Sequence, residues 1–409
     1  MLRSAGRSWR QRSEVLHLTK DVAIVSAAQT KFGEHWEESL RSMSAEAVQG
    51  VLRSVEKGFD PRSVDGIIVG NAGSGELNGQ NNLGALVADQ SGLGGKPAFK
   101  VEASGASGGL ALAQGYAMIR AGLWDTVLVV GVEKMTDQTR SSSIITLKSS
   151  ALDAEWETLQ AQTEASAFAM VAQAYFAKFP NTDNRAWLAS VAVKNHQAAV
   201  YNKYAHFRRG FKLEQVMGAA PVAEPLGLLD CAPASDGAAA VLLTKSELAK
   251  NYTDTPVYLA GVGQATDTIA LHDRPDLAHF QANVLAGKQA FKMAGLDPKD
   301  VQVAEMFDNY SITEVLSLEN LGFFEPGQAG PATLAGQTSL NSEGLVVNPS
   351  GGLKALGHPV GATGVAQAAE LFWQLRGEVE QERRTNAEVG LTHSVGGVGS
   401  TVSVNIFQK

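Results

Sequence analysis

The sequence contains two copies of one strand-and-helix pattern, and this repeat constrains the fold more than any other feature. The matching pairs are buried strand patterns at 22–30 and 257–266, helical patterns at 44–55 and 282–294, Asp-Pro segments at 60–65 and 297–302, and short strands at 66–69 and 303–306. In each Asp-Pro segment the aspartate suits a helix N-cap and the proline suits the first helical position. The copies lie about 240 residues apart, a spacing that indicates a structural repeat. Because strands and helices alternate within each copy, the pattern predicts mixed sheets around buried central helices.

The repeat continues through a second helix-and-strand pair in each copy, and it defines the domain organisation. A small-residue helix at 105–121 precedes a strand at 126–132, and a helix at 357–376 precedes a strand at 388–392. Between about 137 and 225 a polar, helical stretch breaks the alternation, and we expect it to be an insertion that lies over the first half. Alternatively, it is an ordinary peripheral helical subdomain. We predict an N-terminal extension at 1–20, a first half at 21–250 that includes the insertion, and a second half at 251–409.

Composition limits the classes of partner and of site. The chain has 409 residues, of which 44% are apolar and 19% charged, as in globular proteins. A net charge of −8 argues against non-specific nucleic-acid binding, and no apolar run approaches the ~20 residues that span a bilayer. The single cysteine, Cys231, excludes a disulfide within the chain and a Cys-rich metal site. We therefore expect no bound metal, no nucleic-acid partner and no membrane insertion.

The first twenty residues differ from the rest of the chain. Four arginines and three serines precede the first acidic residue, Glu14. An Arg- and Ser-rich, acid-poor start is typical of a mitochondrial transit peptide. Alternatively it is an extension without a targeting function, since the regular pattern begins near Asp21. We expect a cytoplasmic protein, with the mitochondrial matrix as the alternative location.

Three glycine-rich loops indicate where the chemistry lies. The segment 101–109 reads Val-Glu-Ala-Ser-Gly-Ala-Ser-Gly-Gly, the segment 348–364 contains Gly-His-Pro, and the segment 393–399 reads His-Ser-Val-Gly-Gly-Val-Gly. A helix N-terminus offers unpaired N–H groups and the positive end of the helix dipole. Small residues let a ligand approach that backbone closely. These loops therefore predict a site for an oxyanion or a thioester carbonyl.

Together the loops resemble the active-site loops of the thiolase family. In that family the first loop presents a nucleophilic cysteine in a pattern close to Ala-Ala-Cys-Ala-Ser-Gly-Gly, and the matching position here is Gly105. The resemblance runs from about Asp21 to Phe407, is most specific at 131–137 and 348–364, and is nearest to the archaeal-type and sterol-carrier-protein-type members. It implies a five-layered α-β-α-β-α fold, a homodimer, and a CoA thioester as ligand with no permanently bound cofactor. Some members of this branch work with a small zinc-ribbon/OB-fold partner that helps to bind acyl-CoA, and the resemblance extends that expectation here.

Two histidines fall within the loops. His358 lies between a glycine and a proline, so the loop holds it rigidly, as a catalytic base or oxyanion donor must be held. The matching histidine of thiolases activates the cysteine. The resemblance makes His393 a second acid/base, at a position where many thiolases carry a second cysteine. It also pairs the N–H of Val395 with that of Gly105 in an oxyanion hole, which survives the loss of a cysteine side chain because both donors are backbone groups.

A fourth loop, at 305–311, matches a family position that reads Asn-Glu-Ala-Phe or His-Asp-Cys-Phe. Asp308 is retained there and is a candidate catalytic residue. Phe307 replaces the Asn or His that helps to bind the thioester oxygen, and its side chain has no donor. Tyr310 stands where Phe is usual and adds a phenol, either as a proton donor or as a core aromatic. Substrate contacts are expected at Ser104, Ser107, Phe307, Gly357 and Gly397.

Glycine at position 105 cannot form the acyl-enzyme of ordinary thiolysis. The first hypothesis is an enzyme of the acyltransferase family that cleaves or decarboxylates a carbon–carbon bond of a CoA thioester without being acylated. The second is acyl transfer through Ser104 or Ser107, or directly to a second bound substrate. The third is a non-catalytic acyl-CoA-binding subunit of a thiolase complex. Cys231 lies outside the nucleophile loop, and we expect it to be a buried, inert thiol.

Overall fold

The computed structural model describes residues 20–138 and 141–409. The strands of these residues are β1 (Val22–Gln29), β2 (Gly66–Gly70), β3 (Ala98–Val101), β4 (Thr126–Glu133), β5 (Pro221–Ala223), β6 (Leu226–Gly227), β7 (Gly237–Lys245), β8 (Val257–Thr266), β9 (Val303–Glu305), β10 (Val346–Val347), β11 (Val389–Gly396) and β12 (Thr401–Gln408). The helices are α1 (Leu40–Arg53), α2 (Ser74–Asn78), α3 (Leu83–Gln90), α4 (Ser107–Arg120), α5 (Ser141–Ser149), α6 (Glu164–Lys178), α7 (Asn184–Ala199), α8 (Leu213–Met217), α9 (Ser246–Ala249), α10 (Gln281–Ala294), α11 (Ser311–Asn320), α12 (Ala329–Leu334), α13 (Gly352–Leu356) and α14 (Val360–Arg376). The targeting alternative for residues 1–20 concerns a segment that the structure describes only at Lys20.

The sheet repeats one strand order in its two halves. From the centre outward, the first half runs β1-β7-β4-β2-β3 and the second runs β8-β12-β11-β9-β10. Each half is mixed: β1 pairs antiparallel with β7, whereas β2 pairs parallel with β4, and the second half follows the same pattern. β1 and β8 pair where Ala23 lies opposite Tyr258, and this joins both halves into one ten-stranded sheet. The predicted repeat and mixed α/β fold are confirmed, and the two halves share a continuous sheet.

Two helices lie between the halves and set the position of the functional loops. α4 and α14 pack on each other, and α14 also packs on β4, β7 and β11. α1 covers the first half from outside, and α10 covers β8 and β12 of the second, so the layers alternate α-β-α-β-α. A Cβ atom on Gly108 would lie 2.9 Å from the Gly364 backbone nitrogen, so glycine at this crossing lets the two backbones touch. The crossing brings the N-terminal ends of α4 and α14 together.

Most of the helical insertion packs against the second half, whereas α5 packs against α2 of the first half. α7 contacts α11, α12 and α13, and α6 contacts α11. Phe168 and Trp187 of the insertion belong to the same buried apolar cluster as Leu316 of α11. Our expectation that the insertion lies over the first half therefore holds for α5, whereas α6 and α7 pack against the second half. Helical periodicity shows that a helix has an apolar face, but it does not identify the surface that covers this face.

Several predicted helix ends shift for local reasons. The helix predicted from 357 begins at Val360, because Pro359 occupies the N-cap and Gly357 adopts a φ of 111°. The helix predicted from 105 begins at Ser107, after a single 3₁₀ turn at 104–106. Both Asp-Pro segments form short 3₁₀ turns, at 61–63 and 298–300, with the aspartate at the N-cap and the proline at the first helical position, as predicted. No helix in the described part of the chain is long and apolar enough to cross a membrane.

Candidate active site

The turn that precedes α4 holds the position where the nucleophile is expected. Ser104 adopts a φ of 50°, and its N–H donates to Glu102 at 2.6 Å. The Ser107 hydroxyl donates to the Ser104 carbonyl at 2.6 Å and accepts from the Ala103 N–H at 2.9 Å. Both functions of that hydroxyl are therefore used inside the turn. Gly105 is buried at the centre of this fixed backbone.

Phe307 occupies the space next to Gly105. A Cβ atom built on Gly105 would lie 2.5 Å from Cζ of Phe307, and it would also collide with the carbonyl oxygen of Val395. Real Cβ atoms essentially never approach a neighbour within 3.0 Å. The Phe307 side chain is only 1% exposed, so it is packed on all sides. The structure thus brings Gly105, Phe307 and Val395 together, and no side chain at position 105 fits this arrangement.

His358 lies on the other side of the Phe307 ring. The two rings meet edge to face, with centroids 5.3 Å apart. The Thr363 hydroxyl donates to the Pro359 carbonyl at 3.0 Å, so it accepts from His358 Nδ1–H at 2.8 Å. This network assigns the proton to Nδ1 and leaves a lone pair on Nε2. Burial lowers the pKa of His358 well below its ordinary value, with Lys148 adding to the effect, so the ring is neutral at physiological pH.

His393 lies beneath the same loop and is fully enclosed. Its Nδ1 accepts from the Phe307 N–H at 3.4 Å, so its Nε2–H donates to Asn283 Oδ1 at 3.0 Å. Burial lowers its pKa to about 3. Both ring nitrogens are hydrogen-bonded, and the bond from the Phe307 N–H helps to hold the backbone of Phe307 in place. The predicted role of His393 as an acid/base stays a prediction, since it requires one of these bonds to break.

Asp308 faces away from Gly105 and fixes the loop that leads to His358. One carboxylate oxygen accepts from the Leu353 N–H at 2.6 Å, and the other accepts from Asn195 at 2.7 Å. Burial raises its pKa to about 6, against the opposing effect of the nearby Lys354. Asp308 therefore anchors the start of α13, four residues before Gly357. Its predicted catalytic role stays a prediction.

Tyr310 pairs with a carboxylate that the sequence analysis missed. Its hydroxyl donates to Glu164 Oε2 at 3.1 Å, and Asn309 donates to Glu164 Oε1 at 3.4 Å. The ring stacks on Phe168 with centroids 4.6 Å apart. Burial raises the pKa of Glu164. Glu164 belongs to the insertion and lies 146 positions from Tyr310 in the sequence. The sequence marks it only by its position after Thr163, at the start of a helix.

Glu133 ties the first half to the start of α14. Its carboxylate accepts from the backbone N–H groups of Ala72, Gly73 and Gly361 at 2.8, 3.0 and 2.9 Å, respectively. Burial raises its pKa, and these three donors oppose that effect. Glu133 lies in the family-like segment 131–137, and the contact fixes the helix that begins two residues after His358.

The remaining predicted contacts lie on different sides of the loops. Ser104 lines a cavity of about 440 Å³ together with Lys100, Glu102 and Ser150. Gly357 lies against Ser235, whose hydroxyl also accepts the His358 N–H at 3.2 Å. Gly397 packs against the carbonyl of residue 151. Gly105, Phe307, Val395 and His358 therefore form one cluster, and Ser104 faces a separate polar cavity beside it.

Cys231 is not a thiolate at physiological pH. Its thiol donates to the Gly227 carbonyl at 3.5 Å, and burial raises its pKa to about 11. Its backbone forms a bridge with that of Tyr310. Among the described residues no cluster of His, Cys, Asp or Glu has the arrangement of a metal site.

The fold and these loops define a two-domain α/β protein whose halves share one topology and which brings glycine-rich loops together at the N-terminal ends of two buried helices. The family model for the thiolase N-terminal domain matches residues 22–247, and the thiolase C-terminal domain-like model matches residues 263–409. The chain therefore belongs to the thiolase family.

Proteins with several different names resemble this chain in sequence or in structure. The acetyl-CoA acetyltransferase of Methanothermobacter thermautotrophicus is 46% identical over 390 residues, which cover 95% of this chain and 100% of that one. The solved structure of an Ltp2-ChsH2(DUF35) aldolase has a TM-score of 0.81 at 22% identity, covering 96% of this chain and 98% of the other. Human mitochondrial 3-ketoacyl-CoA thiolase in complex with CoA has a TM-score of 0.70 at 20% identity, covering 95% and 98%. The two solved structures share the fold of this chain.

Proposed function

We propose that this protein binds a CoA thioester and cleaves a carbon–carbon bond of its acyl group without forming an acyl-enzyme. The observation that carries the proposal is the contact between Gly105 and Phe307, which leaves no room for a nucleophilic side chain. Family membership supports the ligand class, since one structural relative was solved in complex with CoA. Another structural relative is an aldolase, and this likeness supports the reaction class.

Other nucleophiles in this region are poorly placed for covalent catalysis. The Ser107 hydroxyl is committed at both its donor and its acceptor positions. Cys231 keeps its proton because burial raises its pKa to about 11. Ser104 faces the polar cavity, and no histidine lines that cavity to act as its base. Acylation through any of these side chains is therefore disfavoured.

His358 has the properties of the general base. Its Nε2 carries a lone pair, and its low pKa keeps the ring neutral. In a retro-aldol cleavage, Nε2 takes the proton of the β-hydroxyl group, the Cα–Cβ bond breaks, and its electron pair forms the thioester enolate. The products are a carbonyl compound and, after protonation at Cα, a shorter acyl-CoA. Decarboxylation of a malonyl-type thioester forms the same enolate with CO₂ as the leaving group.

Tyr310 is the proposed donor of the proton to Cα. It lies three residues after Phe307 at the start of α11, and its hydroxyl is held by Glu164. Backbone N–H groups at the start of α4 supply positive potential for the enolate oxygen. We assign His393 to the support of Phe307 and Asp308 to the support of the 348–357 loop, since both are fully engaged.

The functional unit includes other chains. Family membership favours a homodimer, and the related aldolase structure combines Ltp2 with a second protein, ChsH2(DUF35). We propose that a small zinc-ribbon/OB-fold protein binds this chain and helps to admit acyl-CoA. Copurification from the native host, followed by mass spectrometry of the bound protein, tests this point.

The closed site favours a second candidate function, that of a non-catalytic acyl-CoA-binding subunit. The ring of Phe307 fills the space beside Gly105, and His358 is only 3% exposed. Such a protein would bind CoA thioesters and leave them unchanged, either alone or with its partner.

The deciding experiment is product analysis by liquid chromatography and mass spectrometry. The protein is incubated with β-hydroxyacyl-CoA, β-ketoacyl-CoA and malonyl-CoA, and CoA binding is measured by calorimetry on the same samples. We expect the protein to form a shorter acyl-CoA from β-hydroxyacyl-CoA or malonyl-CoA. His358→Ala should lower the rate of this reaction about 100- to 10,000-fold, the range for loss of a general base. Binding without turnover by the wild-type protein and its complex would instead support the second candidate.

A further inference from the structure

Two buried tyrosine–glutamate pairs connect α6 to α11, and they differ in how the carboxylate is held. Glu164 at the first residue of α6 pairs with Tyr310 at 3.1 Å. Tyr175, about 16 Å further along α6 at 1.5 Å per residue, pairs with Glu319 at 2.6 Å. Glu319 also accepts the backbone N–H of Ala329 at 3.0 Å. The second pair therefore has a backbone donor in addition to the tyrosine, as expected of a structural contact.

The first pair lacks such support. Among the residues that the structure describes, the Glu164 carboxylate accepts hydrogen bonds from two side chains, Tyr310 at 3.1 Å and Asn309 at 3.4 Å, and it is buried. A buried carboxylate costs free energy unless it is paired or fully hydrogen-bonded, so this carboxyl group is poorly stabilised as an anion. The pair also lies at the site end of α11, whereas Tyr175 and Glu319 lie at the distal end.

We propose that Glu164 is the positioning residue that holds the Tyr310 hydroxyl and exchanges a proton with it during enolate chemistry. The inference rests on the proposed thioester function. When the enolate forms product, the Tyr310 O–H gives its proton to Cα, and the neutral Glu164 carboxyl gives its proton to the phenolate oxygen. In the reverse direction the phenol oxygen takes the α-proton while the Glu164 carboxylate takes the phenolic proton, so the atoms and charges balance.

The groups around Glu164 shift its pKa in opposite directions. Burial raises its pKa, while Lys148 of α5, Tyr310 and Asn309 oppose that effect. Cys231 is the other titratable group that interacts with this pair, and it stays protonated because of its raised pKa. The pKa of the Glu164 carboxyl group therefore lies above that of an ordinary glutamate.

The test measures deuterium incorporation at Cα of butyryl-CoA in D₂O by mass spectrometry, with affinity measured on the same samples. Butyryl-CoA has no β-hydroxyl group, so the assay reports enolate formation without bond cleavage. We expect Glu164→Gln and Tyr310→Phe each to lower the exchange rate constant about 100-fold or more, with affinity within about twofold of wild type. The double variant should be no slower than Tyr310→Phe, because the two residues act in one relay.

Glu319→Gln is the matched control, since it alters the other buried pair and should retain wild-type exchange. In the wild type, exchange should increase with pH as Glu164 ionises, and Glu164→Gln should lose this titration. If Glu164→Gln fails to fold, Tyr310→Phe still tests the relay. An unchanged exchange rate in Tyr310→Phe would overturn the relay.

The relay and the cleavage activity can fail separately. Exchange that depends on Glu164 without cleavage of any β-hydroxyacyl-CoA would uphold the relay and refute the proposed reaction. Cleavage by a protein that shows no exchange, or wild-type exchange in Glu164→Gln, would overturn the relay.

Discussion

Cζ of Phe307 lies 2.5 Å from the point that a Cβ atom on Gly105 would occupy. The two residues therefore act as one unit, because the ring at 307 requires the absence of a side chain at 105. In the family pattern, a cysteine at the first position accompanies a polar residue at the second. Here both positions differ together, which agrees with the proposal of chemistry without an acyl-enzyme.

Gly105→Ala should destabilise the protein, because the new methyl group collides with Phe307 and with the Val395 carbonyl. We expect the free energy of unfolding to fall by about 1–3 kcal/mol, the usual cost of overpacking, as measured by denaturant titration. Gly94→Ala is the control, since a Cβ atom there meets nothing within 4 Å. Equal stability of the two variants would show that the Phe307 ring is easily displaced.

Gly105→Cys alone should form little or no acyl-enzyme, and Gly105→Cys combined with Phe307→Asn should form more. The double change removes the ring beside position 105 and introduces a polar residue at position 307, although the new side chain must still displace the Val395 carbonyl. Intact-protein mass spectrometry after incubation with acetyl-CoA measures the acyl adduct. An adduct of equal yield in the single variant would contradict the predicted coupling.

Thr363→Val should lower turnover without altering affinity for the thioester. The Thr363 hydroxyl accepts the Nδ1–H of His358 and so fixes the lone pair on Nε2. Valine retains the shape but cannot accept that hydrogen bond, so part of the population adopts the other tautomer. We expect kcat to fall by about tenfold or more, with a smaller loss than in His358→Ala. Thr363→Ser, which keeps the hydroxyl, should remain close to wild type.

His393→Phe should lower the free energy of unfolding. It leaves the Phe307 N–H and Asn283 Oδ1 without their partner, and an unsatisfied buried polar group costs about 1–3 kcal/mol. The exposed His272→Phe change should cost less than about 0.5 kcal/mol. Because the pKa of His393 is about 3, the wild-type pH–rate profile should contain no titration from this residue near neutrality. A normally stable, inactive His393→Phe protein would instead support the acid/base role.

Glu305 should make the protein less stable as the pH rises. Burial and the nearby Glu370 raise its pKa from 4.5 to about 8, although Ser350 donates to it at 2.6 and 3.0 Å. Its folded-state pKa is raised, so its stabilising contribution is complete below pH 4.5 and is lost towards pH 8. The Tm of Glu305→Gln minus that of wild type should therefore increase over this interval. A difference that does not vary with pH would contradict the assignment.

The strands and the repeat could be predicted because they depend on local apolar periodicity. The strand pattern at 257–266 corresponds to β8 in full, and the two halves follow the same strand order. The ends of α4 and α14 were less predictable. Gly105 lies in a 3₁₀ turn before α4, and Gly357 adopts a positive φ that glycine permits but does not require.

Residues of the site could be predicted only where a sequence motif contains them. The loops identified Gly105 and His358, but nothing in the sequence shows that the Phe307 ring fills the space beside Gly105. Glu164 was missed because its contact with Tyr310 joins an insertion helix to the second half of the chain. The packing surface of that insertion was predicted correctly only for α5, since an apolar helix face does not specify its partner.

The most direct test of catalysis without an acyl-enzyme is intact-protein mass spectrometry on samples quenched during turnover of a β-hydroxyacyl-CoA, with the acyl-CoA products quantified in parallel. We predict accumulation of a shorter acyl-CoA while the protein keeps its unmodified mass at every time point. An acyl adduct that forms and decays at the rate of turnover, whether on Ser104, Ser107 or Cys231, would contradict the central claim that the reaction proceeds without an acyl-enzyme.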